Sequence, residues 1–176
     1  LAFIIYKFGG QRLSLPALIV GAMLPDIEIP VILLAFGLQG PNRLVLHSLF
    51  GGATIGTVLG VAITVLVYPP LTSAIFRVNE SHVKEGCRLS VGLAASCLIG
   101  TISHVLLDVV NHQYNPVFWP FLSIYETPNP IVPLLGGADT ASFLMHGLMA
   151  VLFAGLLLNR REKRWEQLLV GESLQG

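Results

Sequence analysis

The chain has 176 residues, 53% of them hydrophobic and 11% charged, and carries no net charge at pH 7. Its mean hydropathy is +0.74, and an ordinary soluble domain is about 25% charged. These values exclude an ordinary soluble domain and a basic surface for nucleic acid. They predict an all-α, multi-pass transmembrane bundle of about five spans, the first truncated, forming a single integral membrane domain over 1–176.

Leu1–Phe8 is too short to span and reads as the end of a helix that starts earlier. Gly9–Arg12 is a polar turn. Leu13–Leu38 is long and apolar enough to cross, but contains Pro16, Pro25 and Pro30 together with Asp26 and Glu28. Proline removes a backbone donor, so a helix break lining a cavity is expected around Pro25–Glu28. Gln39–Asn42 is a loop. The next span runs from about Leu44 to Tyr68, with His47 and Ser48 near its start and Gly52, Gly56 and Gly60 at four-residue intervals. Such a stripe of small residues lets backbones approach closely.

Pro69–Pro70 ends that span, and Leu71–Arg88 reads as a surface loop or short interfacial helix. Leu89–Val110 is the next span. Residues 111–141 form a long proline- and aromatic-rich connection, Ser142–Leu158 the last span, and 159–176 a basic tail. Lys7, Arg12, Arg77, Lys84, Arg88, Arg160, Arg161, Lys163 and Arg164 then share one side, and Arg43 alone lies on the other. The positive-inside rule puts the tail in the cytoplasm and the 111–141 connection outside a plasma (inner) membrane. Cys87 and Cys97 have neither disulfide-framework nor thiolate-zinc spacing.

His104, Asp108 and His112 follow one another at four-residue intervals at the end of a span. On a helix that spacing sets them on one face, about a turn apart. Ionisable groups at membrane depth cost about 2.5–3.5 kcal/mol each, which favours a ligand-binding role. The alternative is a hydrogen-bonded pair that locks helices together. Asp26 and Glu28 could be ligands or helix caps, and Glu28 a general base. The predicted topology gathers these groups and His47 in the outer half of the bilayer from three separate spans. His146 reads as a packing or supporting residue and His82 as solvent-exposed.

GAMLPDIE at 21–28, HSLFGG at 47–52 and SHVLLDVVNH at 103–112, followed by NPVFWPF, resemble the motifs of the YdjM-type family of inner-membrane proteins. The resemblance spans roughly residues 13–130. It implies a multi-pass helical fold and a metal-dependent hydrolase acting on phospholipids. It also implies a metal site built from Asp26, His47, His104 and Asp108. Family members commonly carry a further histidine in an N-terminal TPFH-like motif, which this chain does not show.

An oxygen and nitrogen ligand set suits Zn²⁺, and also Mn²⁺ or Fe²⁺. The expected chemistry is a metal-activated water attacking a lipid ester or phosphoester, with Glu28 or His112 as the catalytic proton carriers. The absence of a GxSxG elbow and of a P-loop leaves serine-hydrolase and NTPase chemistry unsupported. The competing reading is an accessory transmembrane subunit of a larger membrane complex. A metal or proton carrier is a third, weakened by the lack of ligands near the inner face and of an internal repeat.

Overall fold

A computed structural model of the chain describes residues 1–9, 12–37, 43–123, 129, 131–158 and 164–171. The Gln39–Asn42 loop, part of the Gly9–Arg12 turn, the middle of the 111–141 connection and the basic run at 160–163 lie outside the described residues. Among those described there is helix and no strand. Four helical segments among the described residues are long and apolar enough to cross a membrane: Leu15–Phe36, Leu49–Leu66, Val91–Asn111 and Ala138–Gly155. They are preceded by the short helix α1 (Ala2–Gly9).

Three of the spans begin on a serine. Ser14 caps α2 (Leu15–Phe36) by accepting from the Ala17 N–H at 3.3 Å. Ser48 caps α3 (Leu49–Gly51) through Gly51 N–H at 2.9 Å. Ser90 caps α7 (Val91–Asn111) through Leu93 N–H at 3.1 Å. Each hydroxyl satisfies a donor that the first turn leaves without an intrahelical partner. After α3 the span makes one π-helical turn, Gly52–Gly56, and continues as α4 (Thr57–Leu66). Two short helices follow, α5 (Tyr68–Phe76) and α6 (Glu80–Gly86). The 71–88 segment is thus largely helical. Beyond α7 come α8 (Ile131–Leu134), α9 (Ala138–Leu158) and α10 (Arg164–Leu169).

The expected break in α2 does not occur: Pro25 and Pro30 sit inside one continuous helix. Each proline removes one donor and leaves the rest of the ladder in place. The expected start of the second span at Leu44 is also displaced, to Leu49. The backbone N–H groups of Leu44, Val45 and Leu46 point instead at the Glu28 carboxylate, which draws residues 44–46 out of the helix.

The core of the bundle is the pair α2–α7, packed parallel and in register. Ser14 N–H donates to Ser96 Oγ at 2.9 Å. A Cβ on Gly100 would lie 2.7 Å from the Leu18 carbonyl oxygen. His104 Nδ1 donates to the Ala22 carbonyl at 2.7 Å. The partners advance four residues at a time on both helices, at a constant offset, so the next step on this ladder pairs Asp26 with Asp108. The α3–α4 span closes the third side. Gly52 and Gly56 face the Thr101 methyl, and Gly60 faces Cys97. The glycine stripe therefore works as a packing surface. At the other end of the bundle Tyr68 donates to the Leu169 carbonyl at 2.8 Å, in contact with a small core of Val20, Val83 and Cys87.

A candidate metal centre

The ladder brings Asp26, His104 and Asp108 together, and the segment before α3 adds His47. His104 Nε2 lies 3.6 Å from Asp26 Oδ1 and 3.6 Å from Asp108 Oδ2. His47 Nε2 lies 3.9 Å from Asp26 Oδ1 and 3.7 Å from Asp108 Oδ2. Asp26, His47 and His104 offer ligand atoms that all fall within 4.8 Å of one another. Ligand bonds of about 2.0–2.1 Å at tetrahedral angles set donor atoms roughly 3.4 Å apart. The four nitrogen-to-oxygen spacings exceed that by only a few tenths of an ångström.

The tautomers of both histidines follow from their outer partners. His104 Nδ1 faces a carbonyl, which can only accept, and His47 Nδ1 faces Glu28 Oε2 at 2.9 Å. Each ring therefore donates through Nδ1 and, when neutral, turns the lone pair of Nε2 toward the cluster. Both Nε2 atoms, and Asp108 Oδ2, are buried without a hydrogen-bond partner. Buried polar atoms left without partners are costly, and three of them aimed at one point fit a cation. The charge balance agrees: Asp108 pairs with the Arg43 guanidinium, while Asp26 and Glu28 lie against His47, so that with neutral imidazoles two negative charges are left for a divalent ion to offset.

Glu28 stands behind His47. Its Oε1 accepts from Val45 and Leu46 N–H at 2.7 and 3.1 Å, and its Oε2 from Leu44 N–H at 3.1 Å as well as from His47. With both oxygens engaged, the carboxylate holds the 44–47 segment and the imidazole in place. His112, which follows α7, directs Nε2 at Arg43 Nη2, 2.9 Å away, and lies 3.8 Å from Asp108 Oδ1. It is thus beside the cluster and outside the four-atom set.

His47 and His112 lie outside the spanning segments, and their acidities diverge. Burial alone would lower the His47 pKa, but the Asp26, Glu28 and Asp108 carboxylates together outweigh it and raise it. Burial first, and Arg43 next, lower the pKa of His112.

Two residues that hold the site escape the motif reading. Arg43 entered it only as a charge on the outer side, yet its Nε lies 3.4 Å from Asp108 Oδ2. Asn129 ties the end of α7 to α8: its amide donates to the Val109 and His112 carbonyls, and its oxygen accepts from Ile131 N–H. Nothing in their spacing marked either one. His146 is exposed and donates to the Ser142 carbonyl of its own helix, and His82 is exposed on α6.

The cluster opens on one side. The Asp26 side chain is 60% exposed, against 10% for Asp108 and none for His47. Its neighbours on the same helix, Met23 and Ile27, are exposed apolar residues. Phe50 and Phe121, in edge-to-face contact, are also exposed.

No curated protein and no solved structure matches the chain. The family described as YdjM inner membrane protein matches residues 1–171, so that four apolar spans, the motif residues and the family agree: the chain belongs to the YdjM inner membrane protein family.

Proposed function

We propose that the protein is a membrane-bound metal-dependent hydrolase acting on a lipid ester or phosphoester in the outer half of the bilayer. The observation that carries this is the pair of buried Nε2 atoms, each fixed by an acceptor behind its ring and each 3.6–3.9 Å from two carboxylate oxygens. Asp26, His47, His104 and Asp108 would hold the ion, and the nitrogen and oxygen donor set suits Zn²⁺. A bound divalent ion supplies a Lewis acid and lowers the pKa of water toward neutrality. Glu28 orients His47 and is reassigned from base to positioning residue. His112 is the side chain placed to take up a proton beside Asp108. The exposed flank of Asp26 among apolar residues supports a substrate that arrives from the lipid.

Purified, metal-loaded protein in nanodiscs is expected to release product from a phospholipid, to stop on chelation and to recover on metal addition. Full metal occupancy without hydrolysis of any lipid, together with co-purification in fixed ratio with larger membrane subunits, would favour the accessory-subunit reading. We also propose that the site faces outward with the C-terminus in the cytoplasm. A cysteine introduced at 131–135 should react with an impermeant thiol reagent on intact cells, and one placed after Arg164 should not; the reverse pattern would turn the site inward.

A further inference from the structure

Arg43 remains outside the ligand set. It opens the described, non-helical stretch 43–48 before α3, at the rim of the cluster, with its side chain only 13% exposed. Its Nε is buried without a hydrogen-bond partner, and its Nη2 is satisfied by an imidazole nitrogen of His112 at 2.9 Å. Asp108 Oδ2 at 3.4 Å belongs to the proposed ligand set, so that oxygen is committed once an ion is bound. A guanidinium held this way has donors to spare for an incoming acceptor.

We infer that Arg43 is the anion-binding group of the site and selects a phosphoryl ester over an acyl ester. The inference rests on the metal-site reading above. An acyl ester develops one oxyanion in its transition state, which an ion alone can stabilise. A phosphoryl group presents several non-bridging oxygens, and a planar guanidinium beside an ion matches two of them. Arg43 would then take one or two of those oxygens, beside the ion that the four ligand residues would hold. The neutral acceptor that Arg43 now uses, His112, is a weaker partner than a phosphoryl oxygen and can be exchanged for one.

The test uses the full metal-loaded chain in detergent, with inorganic phosphate as the probe in calorimetry and with metal content measured alongside. Wild type should bind phosphate. Arg43→Gln should weaken phosphate binding about 10–100-fold, the usual cost of losing a charge-assisted hydrogen bond, while metal content stays as it was. Arg43→Lys, which keeps the charge and loses the fork, should fall between and guards against a folding failure of the first variant. Competition against phosphate by phosphatidic acid in phosphatidylcholine nanodiscs would place the phosphoryl group on a lipid, and competition by soluble glycerol phosphate on a free ester; either supports the assignment. Equal phosphate affinity in all three proteins, or a metal-loaded wild type that ignores phosphate, would overturn it. So would loss of metal from both variants, which would make Arg43 a positioning residue for Asp108. A wild type that holds no metal overturns the proposed function, and this inference with it.

Discussion

His104 and His146 are a natural pair to compare. Each sits on a membrane-spanning helix, and each donates from Nδ1 to a backbone carbonyl at 2.7 Å. The carbonyl that holds His146 is Ser142, one turn back on its own helix, whereas the one that holds His104 is Ala22 on a neighbouring helix. That difference decides what the other nitrogen can do. His146 stays on the exposed surface of α9. His104 is drawn into the α2–α7 seam, and its Nε2 is buried facing two carboxylates. A histidine becomes a ligand candidate when an outer partner on a second element fixes its ring.

The largest way to break this contrast is to separate the seam. A side chain at Gly100 would run into the Leu18 carbonyl and the Ala22 amide at 2.7 and 2.9 Å, while Gly147 and Gly155 on α9 have nothing within 4 Å. Gly100→Leu should cost about 1–3 kcal/mol of stability and remove metal, because it shifts the ladder that carries His104. Gly155→Leu should change neither melting in detergent nor metal content; equal effects at the two glycines would refute the packing account. A smaller effect is expected behind His47. Glu28→Gln keeps the side chain's shape and weakens its grip on Nδ1, so metal affinity should fall about 10–100-fold without unfolding. A competition titration with a chromophoric chelator reads this, and an unchanged affinity would return Glu28 to the role of proton carrier. The smallest effect is His146→Ala, for which the same titration should give the wild-type affinity.

Much of this was legible in the chain. The apolar runs marked the spans, and the four-residue spacing of His104 and Asp108 put them on one face. The three motifs collected Asp26 and His47 with them. The register between α2 and α7 was not legible, because nothing within one helix states which residue of another it will meet. Proline misled the reading of α2: the residues at 25 and 30 remove donors but leave enough of the ladder for the helix to continue. The region before α3 was misread for a tertiary reason. Apolar Leu44–Leu46 look helical until Glu28, on another element, captures their N–H groups. The same contact changes how Glu28 itself reads, from an acidic residue near a site to the support of one. Arg43 carried no motif at all, and its place depends on where α2 ends and α7 brings Asp108.

X-ray absorption on the metal-loaded protein tests the central claim most directly, because it reports the donor atoms around the ion. The account predicts a shell of nitrogen and oxygen at about 2.0–2.1 Å, with the outer-shell scattering of two imidazoles and no sulfur. In His104→Ala the ion should be lost or the imidazole scattering halved, and in His146→Ala the spectrum should be that of wild type. A sulfur shell, a protein that binds no metal, or a spectrum that ignores the loss of His104 would contradict it.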